Sequence, residues 1–230
     1  MALTFNTFFE HVDTAVNSIV STSRSYTSGD LVLVLFAASD NGAGTCTIAN
    51  SGTAQTWNPH GQTNTSSNLK MAAWSCVMST TQSMTITVTI PVSAQRCCIC
   101  VIPHNGQHAT TPVPAGNSFA VADDQDGTVT QSITPTSIGS CLWMIGGDWD
   151  TTGDVIAPVA NCTEEASTFV TGQYNAGVYR PTTQPRTDTS AFTLGFTIPS
   201  THHGAYVALE VQAAAGGGDY VPRMGLLGVG

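Results

Sequence analysis

His104 and His108 flank Asn105-Gly106, and His202 stands beside His203, each pair in a segment that reads as a turn next to a β-strand. Imidazoles at such positions are candidate metal ligands, but no carboxylate lies nearby in sequence to orient their rings. The densest acidic cluster, Asp123-Asp124-Gln125-Asp126-Gly127, offers oxygen ligands and a glycine for a sharp turn. It lacks the distant Glu of a calcium-binding EF-hand, and a solvated loop is the simpler expectation. Asp148, Asp150 and Asp154 around Trp149 form a second acidic loop, and Glu164-Glu165 a third. Glycoside hydrolysis needs two such carboxylates at a set separation, which spacing along the chain does not supply. No nucleophile elbow, phosphate-binding glycine loop or HExxH sequence is present. The reading is therefore of a non-enzyme, with no catalytic set, no metal site and no cofactor. Of the tryptophans, Trp74 and Trp143 fall within strands and read as core. Trp149, between two aspartates, is the candidate glycan contact.

The seven cysteines are an odd number, and three crowd into the run Arg96–Ile102, RCCICVI. In a strand, alternation sends Cys97 to one face and Cys98 and Cys100 to the other. One strand cannot supply three zinc ligands from one face, so small buried hydrophobes with free thiols are expected. That pattern implies folding in a reducing cytoplasm. Met1 leads into ALTFNTFFEHVDTAV, which has neither the basic start nor the apolar core of a secretory leader. The Asn-X-Ser/Thr matches at Asn64 and Asn161 then read as chance. With a net charge of −9 and only six Lys plus Arg, the chain has no basic cluster with which to displace counterions from nucleic acid. Anionic membranes are disfavoured for the same reason. No nucleic-acid or membrane partner is expected.

Charged residues make up 9% of the chain, against roughly 25% in an ordinary globular domain, so Thr, Ser, Asn and Gln must provide the polar surface. These suit exposed strand faces and turns, and the chain reads as all-β. It also repeats. Gly29–Asp40, GDLVLVLFAASD, aligns without gaps on Gly139–Asp150, GSCLWMIGGDWD, at an offset of 110. Met84–Pro91, MTITVTIP, aligns on Phe192–Pro199, FTLGFTIP, at an offset of 108. The expected strands are Ser18–Thr27 and Thr128–Pro135, the apolar Leu31–Phe36 and Cys141–Ile145, the amphipathic Leu69–Val77 and Gly177–Arg180, the TxTxT strands, and the closing Cys97–Val101 and Ala205–Leu209. Met84, Ile86, Val88 and Ile90 should point inward, and Pro91 and Pro199 should end their strands. The one helical candidate is Phe8–Ser18. This predicts a jelly-roll-like β-sandwich over residues 1–215, built from repeated halves 18–106 and 128–212. Two tandem immunoglobulin-like sandwiches satisfy the repeat as well, but a single interleaved sandwich is the expectation.

The series GDLVLVLFAASD, the lone Trp57 in TAQTWN, then LKMAAWSCV, TITVT and CVIPHNG resembles a β-sandwich module of bacteriophage tail and capsid-associated proteins. The resemblance covers roughly residues 18–210, and the second half lacks an equivalent of Trp57. It implies a virion structural protein, most simply a capsid decoration or cement subunit made in the host cytoplasm. Its partners would be copies of itself, such as a trimer, and the major capsid or other virion proteins. A tail-fibre or spike module binding host glycans, and a glycan-processing enzyme, are the alternatives. Residues 216–230 read as a glycine hinge and a docking arm carrying Tyr220, Val221, Met224, Leu226, Leu227 and Val229, apolar side chains poorly solvated if left free.

Overall fold

The structure, a computed structural model, describes residues 3–12, 16–39, 44–64, 69–94, 96–124, 127–148, 156–170, 174–202 and 204–215. Apart from a short 3-10 turn at Ala115–Asn117, the regular elements among these residues are strands. The first part of the chain contributes β1 (Thr4–Phe5), β2 (Phe8–Val12), β3 (Val16–Val20), β4 (Arg24–Tyr26), β5 (Leu31–Ser39) and β6 (Thr47–Asn50). It continues with β7 (Asn58–Asn64), β8 (Leu69–Val77), β9 (Gln82–Met84), β10 (Ile86–Ala94) and β11 (Arg96–Asn105). The second part supplies β12 (Ser118–Asp124), β13 (Thr128–Ile133), β14 (Cys141–Asp148) and β15 (Ala157–Pro158). It ends with β16 (Cys162–Val170), β17 (Tyr174–Pro181), β18 (Phe192–Thr197) and β19 (Gly204–Val211).

The described strands pair antiparallel. One large sheet runs β1-β11-β5-β8-β7, with β2 also on β11, and the other runs β12-β19-β14-β17-β16. Two three-stranded sheets, β3-β10-β6 and β13-β18-β15, and the pair β4-β9 complete the set. No described sheet mixes strands from the two parts; a single bridge, Gln107 to Ala213, links them outside the strands. The interleaved packing expected from the sequence is thus not what forms. The closing strand β11 pairs with β5 from Arg96–Ser39 to His104–Leu31, which fills the place an interleaved strand from the second part would need.

Packing follows from strands that are apolar on both faces. Leu31, Leu33, Leu35 and Ala37 of β5, with Met71 of β8 and Cys98, Cys100 and Ile102 of β11, meet Trp143, Ile145, Val178, Val207 and Leu209 in a central core. The opposite face of the same sheet, with Val32, Val34 and Phe36, packs on Ile19, Ile86 and Val88 of the first small sheet. Likewise Leu142, Met144 and Tyr206 pack on Val129, Leu194 and Phe196 of the second. The sheets therefore stack in four layers, large against large, each large one covered outside by a small one. Each fully buried aliphatic side chain is worth about 1.5–3 kcal/mol, so these cores outweigh any single polar contact.

Strand register came through in the TxTxT segment, where Met84, Ile86, Val88 and Ile90 are all buried. Three expectations differ. The described residues within Phe8–Ser18 form no helix but β2 and the start of β3. Pro91 does not end its strand: β10 runs to Ala94, and its pairing with β3 shifts register between Thr89 and Ala94, the kind of irregularity that accommodates proline. Leu69–Val77 is buried on both faces up to Cys76, because β8 lies between two layers; even Lys70 and Ser75 are enclosed.

Candidate functional site

The polar side chains best placed for chemistry are those the fold has buried, beginning with His104. It ends up inside because β11 runs to Asn105 and carries the imidazole into the space between the large sheets. His104 Nδ1 lies 2.9 Å from the Ile102 carbonyl oxygen, and Trp143 Nε1 donates to His104 Nε2 across 3.0 Å. Indole donates only, so Nε2 accepts and Nδ1 carries the proton: the ring is neutral. Complete burial holds its pKa down at about 3, the bond to Ile102 only partly opposing. Phe5 packs edge-on against Trp143 with ring centres 5.0 Å apart. The two parts of the chain are thereby joined by a polar contact inside an apolar core.

Two further imidazoles are paired. His202 Nδ1 sits 2.7 Å from Asp148 Oδ2, and both residues are buried. Asp148 ends β14 and His202 precedes β19, strands that are neighbours in the second large sheet. A carboxylate therefore does orient one of the turn histidines, although it lies 54 residues away in the chain. His60 Nε2 is 2.6 Å from Ser75 Oγ across β7 and β8, and burial lowers the His60 pKa to about 4. A serine–imidazole pair is the beginning of a nucleophile and its base. Ser75, however, is itself 2% exposed.

Glu210 of β19 is a fully buried carboxylate satisfied by neutral donors. Ser140 Oγ, Thr136 Oγ1 and Thr136 N donate to Oε1 at 2.6, 2.8 and 2.9 Å, and Asn117 Nδ2 to Oε2 at 2.5 Å. It fastens the segment entering β14 to the closing strand. At the sheet edge, Glu165 of β16 pairs with Arg180 of β17 and accepts from Thr7 Oγ1 at 3.3 Å. At another edge, Gly61 lies so near β12 that an added Cβ would stand 2.9 Å from the Ala120 Cβ; its φ of +132° also disfavours any side chain.

The expected site residues are scattered or undescribed. Trp149, Asp150, Asp154, His203 and the arm residues Tyr220, Val221, Met224, Leu226, Leu227 and Val229 lie outside the described residues. So do the side chains of Asp123 and Asp124, together with Gln125 and Asp126. His104 and His202 belong to separate hydrogen-bonded sets rather than one metal site, and among the described residues no group of three or more ligating side chains gathers. His108 binds within its own loop, Nδ1 accepting from Thr111 N at 3.2 Å. All seven cysteines are buried and none forms a disulfide, and burial pushes the thiols of Cys76, Cys97 and Cys100 up to about 12. Trp143 and Trp74 are core, as their strand positions implied. The His104–Trp143, Asp148–His202 and Glu210 contacts went unseen in the sequence. The one available signal was a polar residue inside an apolar strand run, as with Glu210 in AYVALEV. No family model, no curated protein and no solved structure matches this chain.

Proposed function

We propose that this chain is a virion structural protein: a duplicated β-sandwich acting as a capsid decoration or cement subunit through contacts with copies of itself and with other virion proteins. The observation that carries this reading is the use made of polar groups inside the core and at the sheet edge. His104, Glu210 and Glu165 each fasten one segment of the fold to another, which is how a load-resisting block uses them. Duplication is supported by strand order. Taking β2, β11, β5, β8 and β7 in one large sheet with β12, β19, β14, β17 and β16 in the other, each pair of equivalents comes in the same chain order. The small sheets β3-β10-β6 and β13-β18-β15 correspond in the same way. Two stacked modules give a stiff slab whose outer faces present Thr and Ser, including Thr89, Thr47, Thr128 and Thr193. A resemblance to phage tail and capsid-associated modules supplies the setting, and residues 216–230 remain the proposed hinge and arm.

The test is compositional and then functional. Mass spectrometry of purified particles should detect the chain at a fixed copy number relative to the major shell protein. Deleting residues 219–230 should leave the fold intact and abolish rebinding to particles stripped of the chain. Its absence from particles would refute the proposal, and full rebinding of the truncated chain would refute the arm.

A further inference from the structure

A groove of about 560 Å³ opens between the β1–β2 segment, β4 and the end of β11. Its polar wall includes Asn6, Ser23, Arg24, Ser25, Asp30 and Asn105. Arg24 is one of only six Lys and Arg in a chain of net charge −9, and it is held in place by Phe8 and Glu10. Its guanidinium lies 3.7 Å from the centre of the Phe8 ring. Its carboxylate neighbour, Glu10, is 3.8 Å away, and both Glu10 oxygens already accept from Thr22 N, at 2.7 and 2.8 Å. Arg24 Nε is enclosed with no hydrogen-bond partner among the described residues. A planar guanidinium fixed on an aromatic face is pre-organised for a carboxylate or phosphate.

The rest of the groove says which. Asn105 Oδ1 accepts from Thr4 Oγ1 at 2.7 Å, which leaves its amide NH2 to donate elsewhere. Asn6 and Ser23 are exposed, and their side chains make no hydrogen bond among the described residues. One oxygen of Asp30 takes Thr27 N at 2.9 Å, and the other remains an acceptor. A bare anion would meet Glu10 and Asp30 beside a single cation, in a protein already strongly negative. Charge alone is then too weak. A ligand that also brings hydroxyl groups satisfies Asp30 as donor and the Asn and Ser groups as acceptor. The volume falls within the roughly 300–1,000 Å³ of small-molecule sites. We infer that this groove binds a carboxylate-bearing saccharide, with Arg24 on the carboxylate and Asn6, Ser23, Asp30 and Asn105 on the hydroxyls. The inference does not rest on the particle reading above.

The experiment is titration of the full chain, followed by saturation-transfer NMR, with four probes. These are a glucuronic-acid oligosaccharide, a sialylated oligosaccharide, a neutral glucose oligosaccharide and inorganic phosphate. At least one acidic saccharide should bind, about tenfold or more tightly than the neutral one and than phosphate. Arg24→Gln should erase that preference. Ser23→Trp, a change at an exposed position, should block binding while leaving the melting temperature unchanged, so the test survives if Arg24→Gln misfolds. Equal binding of the neutral sugar, phosphate binding as tightly as any saccharide, retained binding in Ser23→Trp, or no binding by any probe would each overturn the inference.

Discussion

Removing the indole N–H of Trp143 leaves the Nε2 of His104 buried with nothing to accept from. Trp143→Phe should therefore cost about 1–3 kcal/mol beyond the change in packing, read as a lower urea midpoint. His104→Gln, which keeps polar atoms at the site, should cost less than His104→Leu if the hydrogen bond matters; equal losses would assign the whole effect to shape. Both depressed histidines also link stability to pH. In the unfolded chain they take up protons below about 6.5, whereas in the fold they resist until about 3 for His104 and about 4 for His60. Their contribution is complete above pH 6.5 and is lost as pH falls toward those values, at up to about 1.4 kcal/mol per pH unit for each ring. Urea midpoints measured from pH 7 to 4.5 should fall more steeply for the wild type than for His60→Gln. Parallel curves would show that His60 is not the group responsible.

At the scale of strands, Leu33 is the most informative position, since β5 is flanked by β11 and β8 and covered on both faces. Leu33→Ala should destabilise by about 2–5 kcal/mol, and an unchanged melting temperature would mean the register is wrong. The seven thiols should be silent to an alkylating reagent in native protein and all react after denaturation, because burial both hides them and suppresses their thiolates. Labelling of several in the folded state would contradict the strand assignment around Cys97–Cys100. The apolar strands were readable because continuous Val/Leu/Ile runs such as LVLVLF suit few environments besides a sheet covered on both sides. Phe8, Val12 and Val16 were misread because their spacing of four fits one helix face equally well as two short strands. The partnering of the halves was not readable either. Alternation tells which residues are inward, not whether a second sheet lies beyond them. The polar contacts were hidden for a related reason: Trp143 meets His104 across 39 residues, and nothing local marks either as the other's partner.

For the whole molecule, the central core is drawn from both parts of the chain, so neither large sheet buries its inner face alone. Heat should consequently unfold the protein in one transition, with tryptophan fluorescence and calorimetry agreeing on the midpoint. Two separated transitions would mean that the halves are energetically independent and that the central core contributes little. The same arrangement bears on how the protein is made. The ribosome releases β11 about a hundred residues before β19, the strand whose Val207 and Leu209 help cover Leu33 and Leu35. At about 5–20 residues per second, the first half spends on the order of 5–20 seconds complete in its pairing but with one apolar face bare. A newborn chain of this kind is a natural client for a holding chaperone. Slower translation between codons 106 and 204 should lengthen that wait and lower the soluble yield, while the finished protein stays as stable as before.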